Sequence, residues 1–119
     1  MADGVIFIGW GPAIPGREEK ALQVFGEAVQ YWTSLQQTGR IESIEAVALD
    51  PHGGELSGFA LLRGDRATLG EVRGSDEFFR INTRAQLAVQ NFGVVPGVTG
   101  SELQRLFALF EEQVRDFAG

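Results

Sequence analysis

The stretch Val5-Ile6-Phe7-Ile8-Gly9-Trp10 decides the fold of this chain. It is rich in β-branched and aromatic residues and is bounded by Gly4 and by the turn signal Gly11-Pro12, so it predicts a buried β-strand. Because side chains alternate across a strand, its odd-numbered residues face one side of the sheet and its even-numbered residues face the other. Large apolar side chains belong to both sets. The sheet that contains this strand therefore needs cover on both of its faces.

A helix and a hairpin follow this strand. Apolar side chains recur at spacings of three and four between residues 17 and 38, which predicts a helix that ends at Gly39. The stripe that should face the sheet consists of Phe25, Ala28, Trp32 and Leu35. Residues 41–49 and 56–62 predict two strands, and the turn sequence at residues 50–54 should join them into an antiparallel hairpin.

The second half of the chain repeats this order. A short helical segment at residues 67–72 precedes Ser75, which predicts the N-cap of a longer helix. Residues 92–95 predict a fourth strand that ends at Pro96-Gly97. Ser101 and Gln104 have the spacing of a capping box and so predict the start of a last helix. Its apolar stripe consists of Leu103, Leu106, Phe107, Phe110, Val114 and Phe117.

The resulting order, β-α-β-β-α-β with an extra C-terminal helix, predicts an α+β, ferredoxin-like domain that spans residues 1–119. In that arrangement two helices cover one face of an antiparallel sheet. The other face is apolar as well, so we expect a homodimer in which the sheets of two copies pack on each other. The last helix should dock on its own domain or on the dimer mate.

Composition excludes several classes of function. The chain has 119 residues, a formal charge of −6, no cysteine and one histidine. It lacks the basic cluster that nucleic acids or anionic membranes require, so neither is an expected partner. Disulfides and thiol catalysis are excluded without cysteine. The first residues have no basic, signal-like pattern and no segment is long enough to span a membrane, so we expect a cytoplasmic protein.

Two patterns that suggest a cofactor are weak. Gly11 and Gly16 have the spacing of a phosphate-binding loop, but Arg17-Glu18 follows where Lys and Ser or Thr are needed. Two prolines also remove backbone donors from this loop. His52 lies in the turn sequence of residues 50–54, where we expect it to be solvated rather than to bind a metal or haem. We therefore expect no cofactor and no metal.

Five residues are candidates for a ligand-binding site: Trp10, Tyr31, Trp32, Asn82 and Arg84. Trp10 ends a strand, where cavities often form, and Tyr31 lies at the edge of the helical stripe. Trp32 is expected mainly in the core, with a role in lining a pocket as the alternative. Asn82 borders a buried face, so its amide needs partners from the backbone or from a ligand. Glu45 could act as a base if buried, although an edge or interface carboxylate is the expected role.

A family resemblance adds to this interpretation. The passage from Gln30-Tyr31-Trp32 to Gly39-Arg40-Ile41-Glu42-Ser43 resembles the helix-to-strand passage of dimeric α+β barrel proteins. Ser75-Asp76-Glu77-Phe78 and Phe92-Gly93-Val94-Val95 resemble the second half of the same superfamily. The resemblance covers about residues 5 to 100, and it implies ferredoxin-like protomers that pair sheet to sheet.

The resemblance leaves the activity open, because this superfamily includes cofactor-free monooxygenases, lactone isomerases, haem enzymes and stress-response proteins. In its cofactor-free monooxygenases, Asn, Trp, Tyr and Arg side chains orient a polyphenolic substrate. Asn82, Trp10, Tyr31 and Arg84 supply these residue types here without a shared motif. Two hypotheses follow. The protein binds or converts a small hydrophobic or aromatic molecule without metal, or it is a non-catalytic interaction or stress-response module that acts through its dimer and last helix.

Overall fold

The structure, a computed structural model, describes residues 2–119. Four antiparallel strands form one sheet in the order β2-β3-β1-β4. These are β1 (Gly4–Trp10), β2 (Ser43–Ala48), β3 (Gly58–Gly64) and β4 (Gly93–Val98). The predicted central strand, β1, pairs with both β3 and β4, and the predicted hairpin joins β2 to β3.

Helices connect the strands. They are α1 (Glu18–Gln37), α2 (Arg66–Arg73), α3 (Asp76–Gln86) and α4 (Gly100–Ala118). The side chains of Ile6 and Ile8 in β1 are buried on the face that α1, α2 and α3 cover, where they meet Trp32 of α1. Ser75 caps α3 as predicted, because its hydroxyl oxygen accepts a hydrogen bond from the backbone N–H of Phe78 at 3.3 Å. The α+β, ferredoxin-like fold is confirmed.

The opposite face of the sheet, which we call the open face, is also apolar. Its side chains alternate with the buried ones along each strand and include Val5, Phe7, Phe59, Leu61 and Val95. The rings of Phe7 and Phe59 stack with centroids 5.2 Å apart. Gly9 makes this possible, because a Cβ there would lie 2.8 Å from the Phe7 ring. Val95 is 55% exposed, so the open face lacks a cover in the single chain.

The fourth strand is longer than the sequence predicts. β4 continues through Pro96, which pairs with Ile6, and ends at Val98. A proline is tolerated here because β4 is an edge strand, where a missing N–H donor does not interrupt a ladder on both sides. Both predicted strands of the hairpin are present, but β2 is shorter than predicted and β3 begins and ends two residues later than predicted.

The last helix differs from its prediction in two ways. Its N-cap is Thr99, without a side-chain cap, and the helix begins at Gly100, so Ser101 and Gln104 do not form the predicted capping box. Of the two surfaces on which α4 was expected to dock, its own domain is excluded, because none of the residues of α4 is buried, and the dimer mate stays a prediction. The physical reason is topological. β4 ends, and α4 begins, at the end of the sheet where β1 begins, and the helix then extends away from the core.

Candidate functional site

A cavity of about 520 Å³ lies between the sheet, α1 and α3. Its wall includes the end of β1, the loop after it, one side of each helix and the segment before β4. Small side chains explain why the space is open: Ala21 and Ala28 of α1 and Ala85 and Ala88 at the end of α3 line it. Positions that would carry Leu or Ile in a filled core carry alanine here, so the layers leave a volume in the range of small-molecule sites.

Backbone hydrogen bonds hold one end of the cavity in place. The N–H of Gly11 donates to the carbonyl of Gln90 at 2.8 Å, and the N–H of Gln90 donates to the carbonyl of Pro12 at 2.9 Å. The N–H of Ile14 also donates to the carbonyl of Ala88 at 2.9 Å. The loop that resembles a phosphate-binding loop is therefore a rigid part of the cavity wall.

Aromatic rings form much of the remaining wall. Phe25 lies edge-on to Trp10, with ring centroids 5.6 Å apart, and to Trp32, with centroids 6.5 Å apart. Gly58 pairs with Trp10, and a Cβ at Gly58 would lie 2.8 Å from the indole ring. The glycine therefore lets the Trp10 ring lie across β3. Phe92 completes the aromatic part of the lining.

The role of Phe25 differs from its prediction. The sequence places Phe25 in the core, whereas it is half exposed and lines the cavity, and Val24 is buried instead. The buried face of α1 is otherwise as predicted, since Ala28, Trp32 and Leu35 are all buried. Only its first position is exchanged, because Val24 lies one helical turn before Ala28 on the same face.

One residue of the cavity wall carries an orphaned polar atom. Trp32 is 3% exposed and lines the cavity, and its indole Nε1–H has no hydrogen-bond partner among the described residues. A buried donor without a partner costs about 1–3 kcal/mol. Asn82 of α3 lines the same cavity, and within residues 2–119 its amide forms no hydrogen bond. Trp32 and Asn82 thus each bring to the wall a polar group without a hydrogen-bond partner among the described residues.

Charge is nearly absent from the wall. Of the described residues that line the cavity, Glu18 alone has an acidic or basic side chain, and its carboxylate accepts a hydrogen bond from the backbone N–H of Gly16 at 3.3 Å. The wall therefore offers no cation to a carboxylate or phosphate ligand.

Three of the five predicted site residues, Trp10, Trp32 and Asn82, line the cavity, and Tyr31 and Arg84 do not. Tyr31 packs on the other side of α1, against the core near Ser75. Burial is the main reason that the pKa of its hydroxyl is raised. Tyr31 immediately precedes Trp32, and the turn of about 100° between neighbours on a helix directs the two side chains to different surroundings.

Arg84 is held outside the cavity by an ion pair. Its guanidinium donates two hydrogen bonds to the carboxylate of Glu27 in α1, from Nε at 2.8 Å and from Nη2 at 3.1 Å. The pair joins α3 to α1 across the outer surface. The hydrogen bonds from Arg84, followed by one from Gln23, lower the pKa of Glu27 below its usual 4.5.

This ion pair predicts a specific loss of stability in acid. Because the pKa of Glu27 is lowered on folding, its contribution is present above pH 4.5 and is lost as the pH falls through the folded-state pKa. We expect Glu27→Gln to make the free energy of unfolding fall less steeply between about pH 6 and about pH 3, measured by urea titration. Glu19→Gln, at an exposed position of the same helix, is the matched control. Equal pH slopes for the wild type and Glu27→Gln would contradict this assignment.

The remaining titratable candidates lie outside the cavity. His52 is exposed, with Nε2 2.9 Å from the carbonyl oxygen of Leu56 and Nδ1 accepting from the N–H of Gly54 at 3.1 Å. Glu45 is exposed on β2, 3.5 Å from Arg63. Within residues 2–119, no group of three or more His, Asp or Glu side chains could hold a metal ion. None of the helices described is long and apolar enough to cross a membrane.

Comparison with known proteins identifies the fold class. No family model and no curated protein matches the chain. Solved structures do match it, among them a DABB family protein with a ferredoxin-like fold from Mesorhizobium loti, at 11% identity and a TM-score of 0.62, over 83% of this chain and 99% of that one. A dimeric protein of unknown function and ferredoxin-like fold from Bacteroides fragilis matches at 14% identity and a TM-score of 0.56, over 81% and 96%.

An enzyme is also among these structures. SnoaB, a cofactor-independent oxygenase from Streptomyces nogalater, matches at 16% identity and a TM-score of 0.55, over 84% of this chain and 94% of that one. The chain therefore has the ferredoxin-like fold of the dimeric α+β barrel proteins, as its sequence predicts. At these identities the likeness shows the fold alone.

Proposed function

We propose that this protein binds a small, neutral aromatic molecule in the cavity between the sheet, α1 and α3. The observation that carries the proposal is Trp32, a wall residue of an apolar cavity of about 520 Å³ whose buried Nε1–H has no partner among residues 2–119. A ligand oxygen that accepts from this donor would remove the cost of leaving it unpaired. The amide of Asn82 can donate or accept a second hydrogen bond.

The shape and charge of the cavity support this class of ligand. Rings of Trp10, Phe25 and Trp32 offer faces and edges against which a planar aromatic molecule can pack. Glu18 disfavours an anion at the wall, and Arg84, the cation that the sequence suggested for ligand binding, is paired with Glu27. We therefore expect neutral ketones or phenols rather than aromatic acids.

Binding by such a cavity is compatible with a reaction that needs only the bound molecule and dioxygen. We propose cofactor-free oxygenation as the reaction to test first, supported by a cofactor-independent oxygenase among the proteins of the same fold. Anthrone is a suitable neutral substrate, because its oxidation by O₂ gives anthraquinone and water and can be followed by oxygen uptake. If oxygen is taken up no faster with the protein than in buffer alone, the protein does not oxygenate anthrone and the proposal is reduced to binding.

We also propose that the protein acts as a homodimer that buries the open face. Leu61 pairs with Glu45 on one side and with Phe7 on the other, so it lies near the centre of that face. An apolar sheet face of this extent is unusual on a monomeric protein and marks an interaction surface. The dimeric protein of the same fold from Bacteroides fragilis supports a second copy as the partner.

A matched set of probe molecules tests the role of Trp32. We expect the wild type to bind 2-acetylnaphthalene about tenfold more tightly than 2-ethylnaphthalene, which lacks the acceptor, because the ketone pairs a buried donor. Trp32→Phe keeps an aromatic ring but removes the N–H, so the two affinities should become equal. Titration calorimetry measures both affinities. An unchanged preference for the ketone in Trp32→Phe would show that another group pairs with it.

The same variant separates binding from folding. We expect Trp32→Phe to lower the free energy of unfolding by well under the ~3–5 kcal/mol that a Trp→Ala substitution costs, because it also removes an unpaired buried donor.

A third probe molecule, 2-naphthoate, tests the charge of the wall, and it should bind more weakly than the ketone.

A further inference from the structure

The helix α4 carries an apolar surface that its own chain does not use. Its stripe, defined by Leu103, Leu106, Phe107, Phe110, Val114 and Phe117, occupies an arc of about 100° on the helix. Phe110 is 65% exposed and Phe117 is 92% exposed. The first turn of α4 is tied to the domain, where Arg66 donates to the carboxylate of Glu102 at 2.9 Å. Since most of the stability of a helix in a protein comes from the packing of its apolar face, the stripe needs a partner.

The size of the chain indicates how much surface is unpaired. Its radius of gyration is 16.8 Å, against about 13.5 Å for a compact chain of this length. Its accessible surface is 7722 Å², against about 6300 Å² for a compact monomer. The excess of about 1400 Å² is in the range that each subunit of an obligate homodimer buries, since such interfaces cover about 2000–5000 Å² in total.

We propose that α4 is an arm that packs its apolar stripe on the second copy of the chain, as an extension of the interface formed by the open face. This inference rests on the homodimer proposed above. β4 leads into α4 through Thr99 alone, so the helix that carries the stripe directly follows the strand that carries exposed Val95 of the open face. Both copies contribute an arm, because the interface of a two-fold dimer contains every contact twice.

The polar side of α4 argues against a membrane as the partner. Helices that lie on membranes carry Lys and Arg opposite their apolar face. In α4, Glu102, Glu111, Glu112 and Asp116 outnumber Arg105 and Arg115. A helix of net negative charge is repelled by anionic lipids, whereas a second copy offers an apolar surface of the area required.

The solved structures of the same fold leave part of this chain uncovered. These cover 90–99% of their own chains but only 81–85% of this one. The uncovered share is about the length of α4, which has 19 residues. We infer that the uncovered part is α4, which predicts that α4 strengthens the dimer without being needed for the fold.

Charge substitutions on opposite sides of α4 test this arm. We expect Phe110→Glu to raise the dissociation constant of the dimer about 100-fold, about tenfold for each of two equivalent sites. Ala108→Glu makes the same charge change on the exposed opposite side and should leave the constant within about twofold. Sedimentation of the full chain over a range of concentrations measures both, and a chain that ends at Thr99 checks that the remaining protomer still folds.

Hydrogen exchange of the full chain provides a second readout. The amides of residues 104–118 should exchange slowly in the dimer and fast after dilution to monomer, because the stripe loses its partner. Slow exchange in the monomer would show that α4 packs on its own chain and would overturn the proposal. A dimer that is unaffected by Phe110→Glu would also overturn it while leaving the sheet-to-sheet dimer intact. A chain that is monomeric throughout would instead contradict the homodimer itself, and the arm with it.

Discussion

Ala85→Trp is expected to lower the affinity for 2-acetylnaphthalene at least about 30-fold while leaving the fold intact. Ala85 lines the cavity from α3, and an indole at this position would occupy the space that we assign to the ligand. Because the cavity is already open, the added ring fills empty volume rather than displacing packed side chains. Burial of its apolar surface should stabilise the protein, by about 1–2 kcal/mol.

The neighbouring residue provides the control for this prediction. Gln86 is exposed and does not line the cavity, so Gln86→Trp adds the same ring to the same helix without entering the site. Its affinity for the ketone should match that of the wild type. If Ala85→Trp binds the ketone as well as Gln86→Trp does, then the ligand does not occupy this cavity.

Leu61→Asp is expected to convert the proposed dimer into a monomer. In the sheet-to-sheet arrangement this substitution would bury a carboxylate from each copy near the centre of the interface, and each uncompensated charge costs several kcal/mol. In the monomer the same carboxylate faces water on the open face, so the fold should survive. Sedimentation and circular dichroism measure the two outcomes separately.

Leu87→Asp is the matched control for the dimer. Leu87 is 60% exposed and lies at the end of α3, away from the open face. The control should remain dimeric at concentrations where Leu61→Asp is monomeric. A dimer that persists in Leu61→Asp would place the interface on another surface and would remove the stated reason for an apolar open face.

The fold is predictable from the sequence where local signals and tertiary packing agree. The strand of Gly4–Trp10 combines high β-propensity with clear boundaries, and Ser75 caps α3 through its own side chain. The predictions are wrong where the position of a segment in the folded chain, rather than its local sequence, determines its structure. Pro96 ends a strand in most contexts but not on an edge. The start of α4 depends on the close approach of Thr99 to Asp3, whose carbonyl accepts the Thr99 N–H at 3.0 Å.

The candidate site is only partly predictable for a related reason. Trp10 and Trp32 could be placed near a pocket from their positions on a strand and a helix. Arg84 could not be excluded, because its partner Glu27 lies 57 residues away in sequence. The cavity itself has a weak signal in the sequence, which is alanine rather than a larger apolar residue at positions 28, 85 and 88. Small residues in a core stripe can leave space or bring helices together, and only the packed structure distinguishes these outcomes.

The most direct test of the proposed binding site uses the indole N–H groups. The chain has two tryptophans, Trp10 and Trp32, and both line the cavity, so a proton–nitrogen correlation spectrum contains two indole signals that report on it. Saturation with 2-acetylnaphthalene should move the Trp32 indole proton downfield, as its buried donor gains a carbonyl acceptor, and 2-ethylnaphthalene should not. If saturating ketone leaves the Trp32 signal unchanged, the orphaned donor is not part of a ligand site.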